Sequence, residues 1–210
     1  MSIQKSQIVQ TALDILDRDG LEGVTLRRLA SELKIKAASI YWHVASKERL
    51  FDEMANIILE EHFSSFDFEN DRQEWTEWLD TLAHELRAAM LAHQDGARII
   101  AGAHPDIAQM LTKLWDLTVR VLHNADFSYS KAATITATVI NFTLGSVIEE
   151  QSSPPYSTGP DKPLDELLSI GQTFQALALV LEAWQDENND MHFDTGVRII
   201  INGVRAELTL

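Results

Sequence analysis

The stretch "TLRRLASELKIKAASIYWHVASKERL", residues 25–50, decides the fold. Thr25 is a helix-capping residue, and Leu26, Leu29, Ala30 and Leu33 follow it on one helical stripe. Val24 and Leu29 occupy the two positions of a hydrophobic staple, which fixes how the chain enters that helix. A connector of about three residues, Lys34 to Lys36, leads into a second short helix expected over 37–43. Ser46 then caps a long helix expected to reach Phe63, with Leu50, Met54, Ile57 and Ile58 on its apolar side. Upstream, residues 5–18 place Ile8, Val9, Ala12, Leu13 and Leu16 on one face, and Gly20 is a natural stop. Two short helices joined tightly and preceded by a longer one form a helix-turn-helix pattern.

The second short helix raises a burial problem. Ala37, Ile40 and Val44 share one face and are expected to pack inward. At about 100° per residue, Ala38, Ser39, Tyr41, Trp42 and His43 then cover the outward arc. Three consecutive large rings cannot all be core, although Trp42 can cover part of the small subdomain's core. Leaving them in water is unfavourable unless a partner covers them. A DNA major groove admits a helix, and the chemistry suits it. Ala38 and the Trp42 ring fit thymine methyls, Ser39 fits a base edge or phosphate, and Arg27 presents paired donors to guanine. Tyr41, His43 and Lys47, with Thr25 as a neutral donor, fit phosphates.

Charge is distributed accordingly. The 210-residue chain has a net charge of −15, which at first argues against nucleic acid. Residues 1–50, however, hold eight Lys/Arg against six Asp/Glu, or +2, and the remainder holds nine against 26, or −17. Charges separated by more than roughly 8–10 Å are largely screened, so a locally basic surface can still hold phosphates. There is no Cys, which removes disulfides, thiolate metal sites and a Cys nucleophile and fits a cytoplasmic setting.

The rest also reads as helix, at about 73–93, 106–123, 129–152, 164–183 and 190–208, without strand-like alternation. Residues 152–163, SSPPYSTGPDKP, hold four of the five prolines and read as a long loop. Residues 132–148 carry no charge, but 17 residues with four Thr, an Asn and a Ser are short and polar for a membrane span of about 20. A core or subunit interface is the expected location, and no membrane is expected. Enzyme motifs are absent. "HELRA" at 84–88 has Ala88 where a second zinc ligand would stand, and His84 and His93 lie on opposite sides of one helix. No metal site, cofactor or catalytic residue is expected.

The residues T-L-R-R-L-A at 25–30, L-x-I at 33–35, S-I-Y-W-H-V at 39–44 and K-x-x-L at 47–50 resemble the DNA-binding domain of the TetR family of transcriptional repressors. The resemblance covers residues 1–63 without a gap. It continues through "RAAMLAHQDGARIIAGAHP" (87–105) and "NFTLGSVIEEQ" (141–151), which are similar to the tetracycline-responsive branch of the family. It implies an all-α protein with an N-terminal helix-turn-helix domain (1–63) and a helical effector-binding and dimerisation domain (64–210). The implied partners are a double-stranded DNA operator, a small-molecule effector and a second copy docked through helices near 129–152 and 190–208. The last of these supplies Phe193, Val197, Ile200, Ile201, Val204 and Leu208 as an apolar stripe.

The resemblance places Ala37 and Ala38 where family members carry specificity residues, and it places the effector contacts as well. Phe63 and Leu82 stand at polar ligand positions, Leu86 at an aromatic one, and Ile100 at the histidine that holds a drug-bound magnesium. Ala103 replaces a threonine, Asp116 a glutamine and Asn141 a second histidine, while Glu149 keeps an acidic position. Ile100 cannot ligate a metal, so the expected effector is small, mainly apolar and not magnesium–tetracycline. A helical scaffold that contacts protein and not DNA is the alternative from another class.

Overall fold

The computed structural model describes residues 4–152 and 189–207, together with Ala176, Leu179 and Val180. The expected helix over 164–183, the loop from 153 onward and Leu208 lie largely or wholly outside these residues.

All regular structure among the described residues is helical. α1 (Lys5–Gly23), α2 (Leu26–Glu32), α3 (Ala37–Ile40) and α4 (Lys47–Phe63) come first. α5 (Trp75–Leu91), α6 (Gly96–Ala101), α7 (Gln109–Asn124), α8 (Tyr129–Ser152) and α9 (Asn189–Glu207) follow. Gly20 has φ 69°, so the regular part of α1 stops there and one further turn completes it. Thr25 caps α2 by accepting the Arg28 N–H at 3.2 Å, and Ser46 caps α4 by accepting that of Arg49 at 3.2 Å. Val24 and Leu29 are both buried, as a staple requires.

The structure departs from the sequence pattern in three details. α3 is shorter than expected, although Tyr41 keeps helical dihedrals and the Val44 N–H still reaches the Ile40 carbonyl at 2.9 Å. Ala37 is exposed, so only Ile40 and Val44 hold this segment down. α6 was not anticipated: six residues starting at a glycine carry too little periodicity to stand out.

The larger domain is built around α5, which packs on α4, α6, α7, α8 and α9. Trp78 donates its indole N–H to Thr118 Oγ1 at 3.0 Å, and Thr118 donates to the Leu114 carbonyl, so both buried polar groups are satisfied. Phe66 bridges Phe63 at 4.9 Å and Trp78 at 6.2 Å, ending the aromatic chain beneath α4. One continuous core runs from Ile8 in α1 to Val204 in α9, with α4 shared by both domains.

α8 is long and apolar enough to cross a membrane by length and composition. Here it packs on α5, α6, α7 and α9, burying Ile135, Val139, Ile140 and Val147. The apolar stripe of α9 behaves differently from expectation: Phe193, Val197, Ile201 and Val204 are buried within the single chain. Phe193 stacks on Phe142 of α8 at 5.5 Å. The stripe therefore fills the subunit's own core. α9 turns a different face outward, with Met191, Ile199 (66% exposed) and Gly203.

Candidate nucleic-acid interface and effector site

The outward arc of the helix-turn-helix follows from how it is held. Ile40 and Val44 are buried in the small core, so the residues between and after them are driven to the surface. Trp42 is 89% exposed and Tyr41 56%, and among the other described aromatic side chains only Tyr129 is as open. Ala37, Ala38, Thr25 and Arg27 are also exposed, while Ser39, His43 and Lys47 are half-buried. Lys47 lies 5.0 Å from the Phe51 ring centre, which steadies its ammonium at the start of α4.

Several cations of this domain are committed elsewhere. Lys5 pairs with Glu53, and Arg18 and Arg28 share Asp19 and Glu32 in a four-membered network. Arg49 turns to the larger domain, bonding Asp106 at 2.9 Å. Asp106 raises the pKa of that guanidinium, and Arg49 in turn lowers that of the Asp106 carboxyl. Glu48, in the first turn of α4, sits below the usual carboxylate range through bonds from Ser46 and its own backbone N–H.

The junction between the domains is polar and was not foreseen. Asp52 of α4 is fully buried, and its Oδ1 accepts both the backbone N–H (2.8 Å) and the ring Nδ1 (3.0 Å) of His104. Its Oδ2 makes no hydrogen bond and lies 3.5 Å from Arg49. Asn56, one turn on, accepts the Met110 N–H at the start of α7. On the other side of α4, His93 sits between Asp17 of α1 (3.0 Å) and Glu61 (3.5 Å), and Asp95 accepts the Leu21 N–H at 2.8 Å. The sequence held one signal for Asp52: with Ala55 and Leu59 it shares a stripe, and both of those are buried.

The expected effector residues fall into two groups. Phe63, Leu82, Leu86 and Ile100 are buried on α4, α5 and α6, which pack against one another, and Ala103 is half-buried beside α6. Asp116, Asn141 and Glu149 are exposed, and Asp116 is engaged with Arg120 at 2.9 Å. The first group is thus placed together in the core, and the second is not joined to it within one subunit. Two open surface depressions occur elsewhere. One is lined by residues such as Asp71, Trp75 and Asn124, the other by residues such as Asp80, His84 and Arg198.

His84 of the second depression bonds Asp194 at 2.9 Å and the Asp80 carbonyl at 2.8 Å. Burial pushes its pKa down, but these acceptors outweigh that and raise it. Among the described residues no group of three or more His, Asp or Glu is placed to hold a metal.

Comparison with known proteins agrees with this architecture. Residues 8–54 match the model for bacterial regulatory proteins of the tetR family, and residues 69–208 match the tetracyclin repressor-like C-terminal domain. The chain is 33% identical over 208 residues to the class A tetracycline repressor protein from transposon 1721 of Escherichia coli, covering 96% of this chain and 90% of that one. A possible TetR family transcriptional regulator from Streptomyces coelicolor A3(2) superimposes with a TM-score of 0.81 at 35% identity, covering 97% and 99% of the two chains. ActR of Streptomyces coelicolor, solved with (S)-DNPA, gives 0.80 at 28% identity over 99% of each. BioQ, solved with its double-stranded DNA operator, gives 0.70 at 25% identity, covering 96% and 98%. The chain belongs to the TetR family, DNA-binding transcription regulators and not enzymes, with a helix-turn-helix domain followed by a tetracycline-repressor-like helical domain.

Proposed function

We propose that this protein is a cytoplasmic, homodimeric repressor that binds a palindromic operator and is released by a small, mainly apolar effector other than magnesium–tetracycline. The observation that carries the DNA reading is the exposed pair Tyr41 and Trp42, with Arg27 exposed on α2 and Lys47 at the start of α4. Residues 1–63 form the reader and 64–210 the effector and dimerisation domain. Thr25, Arg27, Ala37, Ala38, Ser39, Tyr41, Trp42, His43 and Lys47 face the duplex, and two α3 segments enter successive major grooves.

The open faces of α8 and α9 support dimerisation. α8 exposes Thr134, Thr138, Asn141 and Gly145, without charge, and a Cβ added at Gly145 or Gly203 meets nothing in its own subunit. Such small residues let a second pair of helices approach closely. Effector binding is assigned to Phe63, Leu82, Leu86, Ile100, Ala103 and Asp116, with Asn141 and Glu149. Asn141 and Glu149 lie on the open face of α8 and serve the site from across the dimer, while Asp116, exposed on α7 and paired with Arg120, is the member left outside the buried group. Ile100 in place of a metal-ligating imidazole supports the apolar effector. Filling a site among buried side chains displaces α4, whose far end carries the reader.

The test is operator binding by fluorescence anisotropy across salt concentrations. Arg27→Ala, Trp42→Ala and Lys47→Ala should each weaken binding, and wild-type affinity should fall steeply with salt. Binding indifferent to salt and to all three changes would instead favour a protein-contacting scaffold. Magnesium–tetracycline should leave the complex intact. A cross-link holding the two readers at their effector-free spacing should abolish release.

A further inference from the structure

We infer that Lys36 is a specificity-determining residue of the reader, recognising a guanine edge in each operator half-site. This rests on the DNA reading above and adds to it a base contact by a residue outside the predicted set.

The basis is which cations are free. Of the eight Lys and Arg in the first 50 residues, Lys5, Arg18, Arg28 and Arg49 are bound to carboxylates. Among the described residues Arg27, Lys34, Lys36 and Lys47 have no carboxylate partner. Lys34 and Lys36 belong to the connector between α2 and α3. Both are exposed, while Ile35 between them packs against the core and anchors the connector. The Ile35 N–H bonds the Ala30 carbonyl at 3.0 Å, and the Lys36 carbonyl accepts the Ser39 N–H at 2.8 Å. The backbone at Lys36 is therefore fixed from both sides, and its side chain makes no cap bond.

Chemistry then selects the base. Lys36 immediately precedes α3, and the next two residues, Ala37 and Ala38, are exposed methyls with nothing to donate or accept. Apolar contacts discriminate weakly beyond a thymine methyl, so hydrogen-bonded readout at this end of the segment falls to its neighbour. An ammonium has three donors and no acceptor, and guanine O6 and N7 are adjacent major-groove acceptors. Lys34 lies two residues further from α3 and serves as its contrast, a cation suited to phosphate.

The experiment selects binding sites from a random duplex library with the full-length wild type, Lys36→Ala, Lys36→Arg and Lys34→Gly in parallel. Wild type should enrich an inverted repeat with guanine at one fixed position in both halves. Lys36→Ala should enrich the same repeat with that position relaxed, and lose ~10- to 100-fold in affinity for the wild-type site. It should bind the guanine-substituted site as the wild type does. Lys36→Arg should keep the guanine.

Three results would overturn the assignment. One is that Lys36→Ala weakens every sequence equally while lowering the salt slope by about two, one lost phosphate contact per half-site. Another is that Lys36→Ala leaves preference and affinity unchanged. The third is that Lys34→Gly relaxes the same guanine, which would move the contact to Lys34. Failure of the underlying reading is distinguishable, because the wild type would then enrich no repeat. All three substitutions are at exposed positions, and circular dichroism confirms folding.

Discussion

Removing Asp52 tests whether the junction between reader and effector domain is held as its geometry indicates. Asp52→Ala deletes the acceptor of two His104 donors, the backbone N–H at 2.8 Å and the ring nitrogen at 3.0 Å. A hydrogen bond to a charged acceptor contributes about 1.5–3 kcal/mol, and orphaning a part-buried N–H costs about 1–3 kcal/mol. The ring is largely exposed, so water replaces its bond cheaply, whereas the backbone donor is covered. Arg49 keeps Asp106, so no cation is stranded. The carboxylate's own burial offsets part of the total, since Oδ2 makes no hydrogen bond. The expected loss is about 2–4 kcal/mol for Asp52→Ala. For His104→Ala, which spares the backbone bond, it is under about 1 kcal/mol. Asp52→Asn keeps an acceptor without the charge and should fall between them. Urea unfolding at one fixed protomer concentration is the assay, because association adds to apparent stability. Equal losses for Asp52→Ala and His104→Ala, or a loss below about 0.5 kcal/mol for Asp52→Ala, would refute the reasoning.

Three further outcomes follow from local geometry. Lys34 has φ 55° at the position after the α2 C-cap, where glycine is favoured, so Lys34→Gly should raise stability by about 1 kcal/mol in the same urea assay. A Cβ at Gly96 would lie 2.3 Å from the Met90 carbonyl oxygen, a backbone atom, so Gly96→Ala should cost about 1–3 kcal/mol by urea unfolding. His84 links α5 to Asp194 of α9, and its pKa is raised above 6.5. A raised histidine contributes stability that is present below the unfolded pKa and lost as pH rises through the folded one. The stability difference between wild type and His84→Gln should therefore be present near about pH 6 and fade on the alkaline side. An equal difference at both ends of a pH series would refute it.

Legibility in the sequence followed what each residue type can announce. Thr25, Ser46 and Gly20 announce helix ends because capping oxygens and left-handed glycines act locally. Tyr41 and Trp42 were legible because Ile40 and Val44 occupy the only inward face. Asp52 was not, since a carboxylate on a helix normally marks the wet side, and only the distant His104 N–H makes its burial tolerable. The stripe Phe193, Val197, Ile201 and Val204 looks the same whether it meets its own subunit or another, and here it meets its own. The apolar residues proposed for the effector share this ambiguity. Phe63 and Leu86 read identically as core and as pocket wall, and both are fully buried.

The network of Arg18, Arg28, Asp19 and Glu32 has a consequence for how the protein searches a chromosome. Each reader cation tied to a carboxylate is withdrawn from the indiscriminate pull of the phosphate backbone. Grip on unrelated sequence depends on the number of such contacts, whereas grip on the right sequence also draws on base edges and methyl groups. Dwell time on wrong sites is thereby shortened more than dwell time on the right one. Discrimination is gained by subtraction.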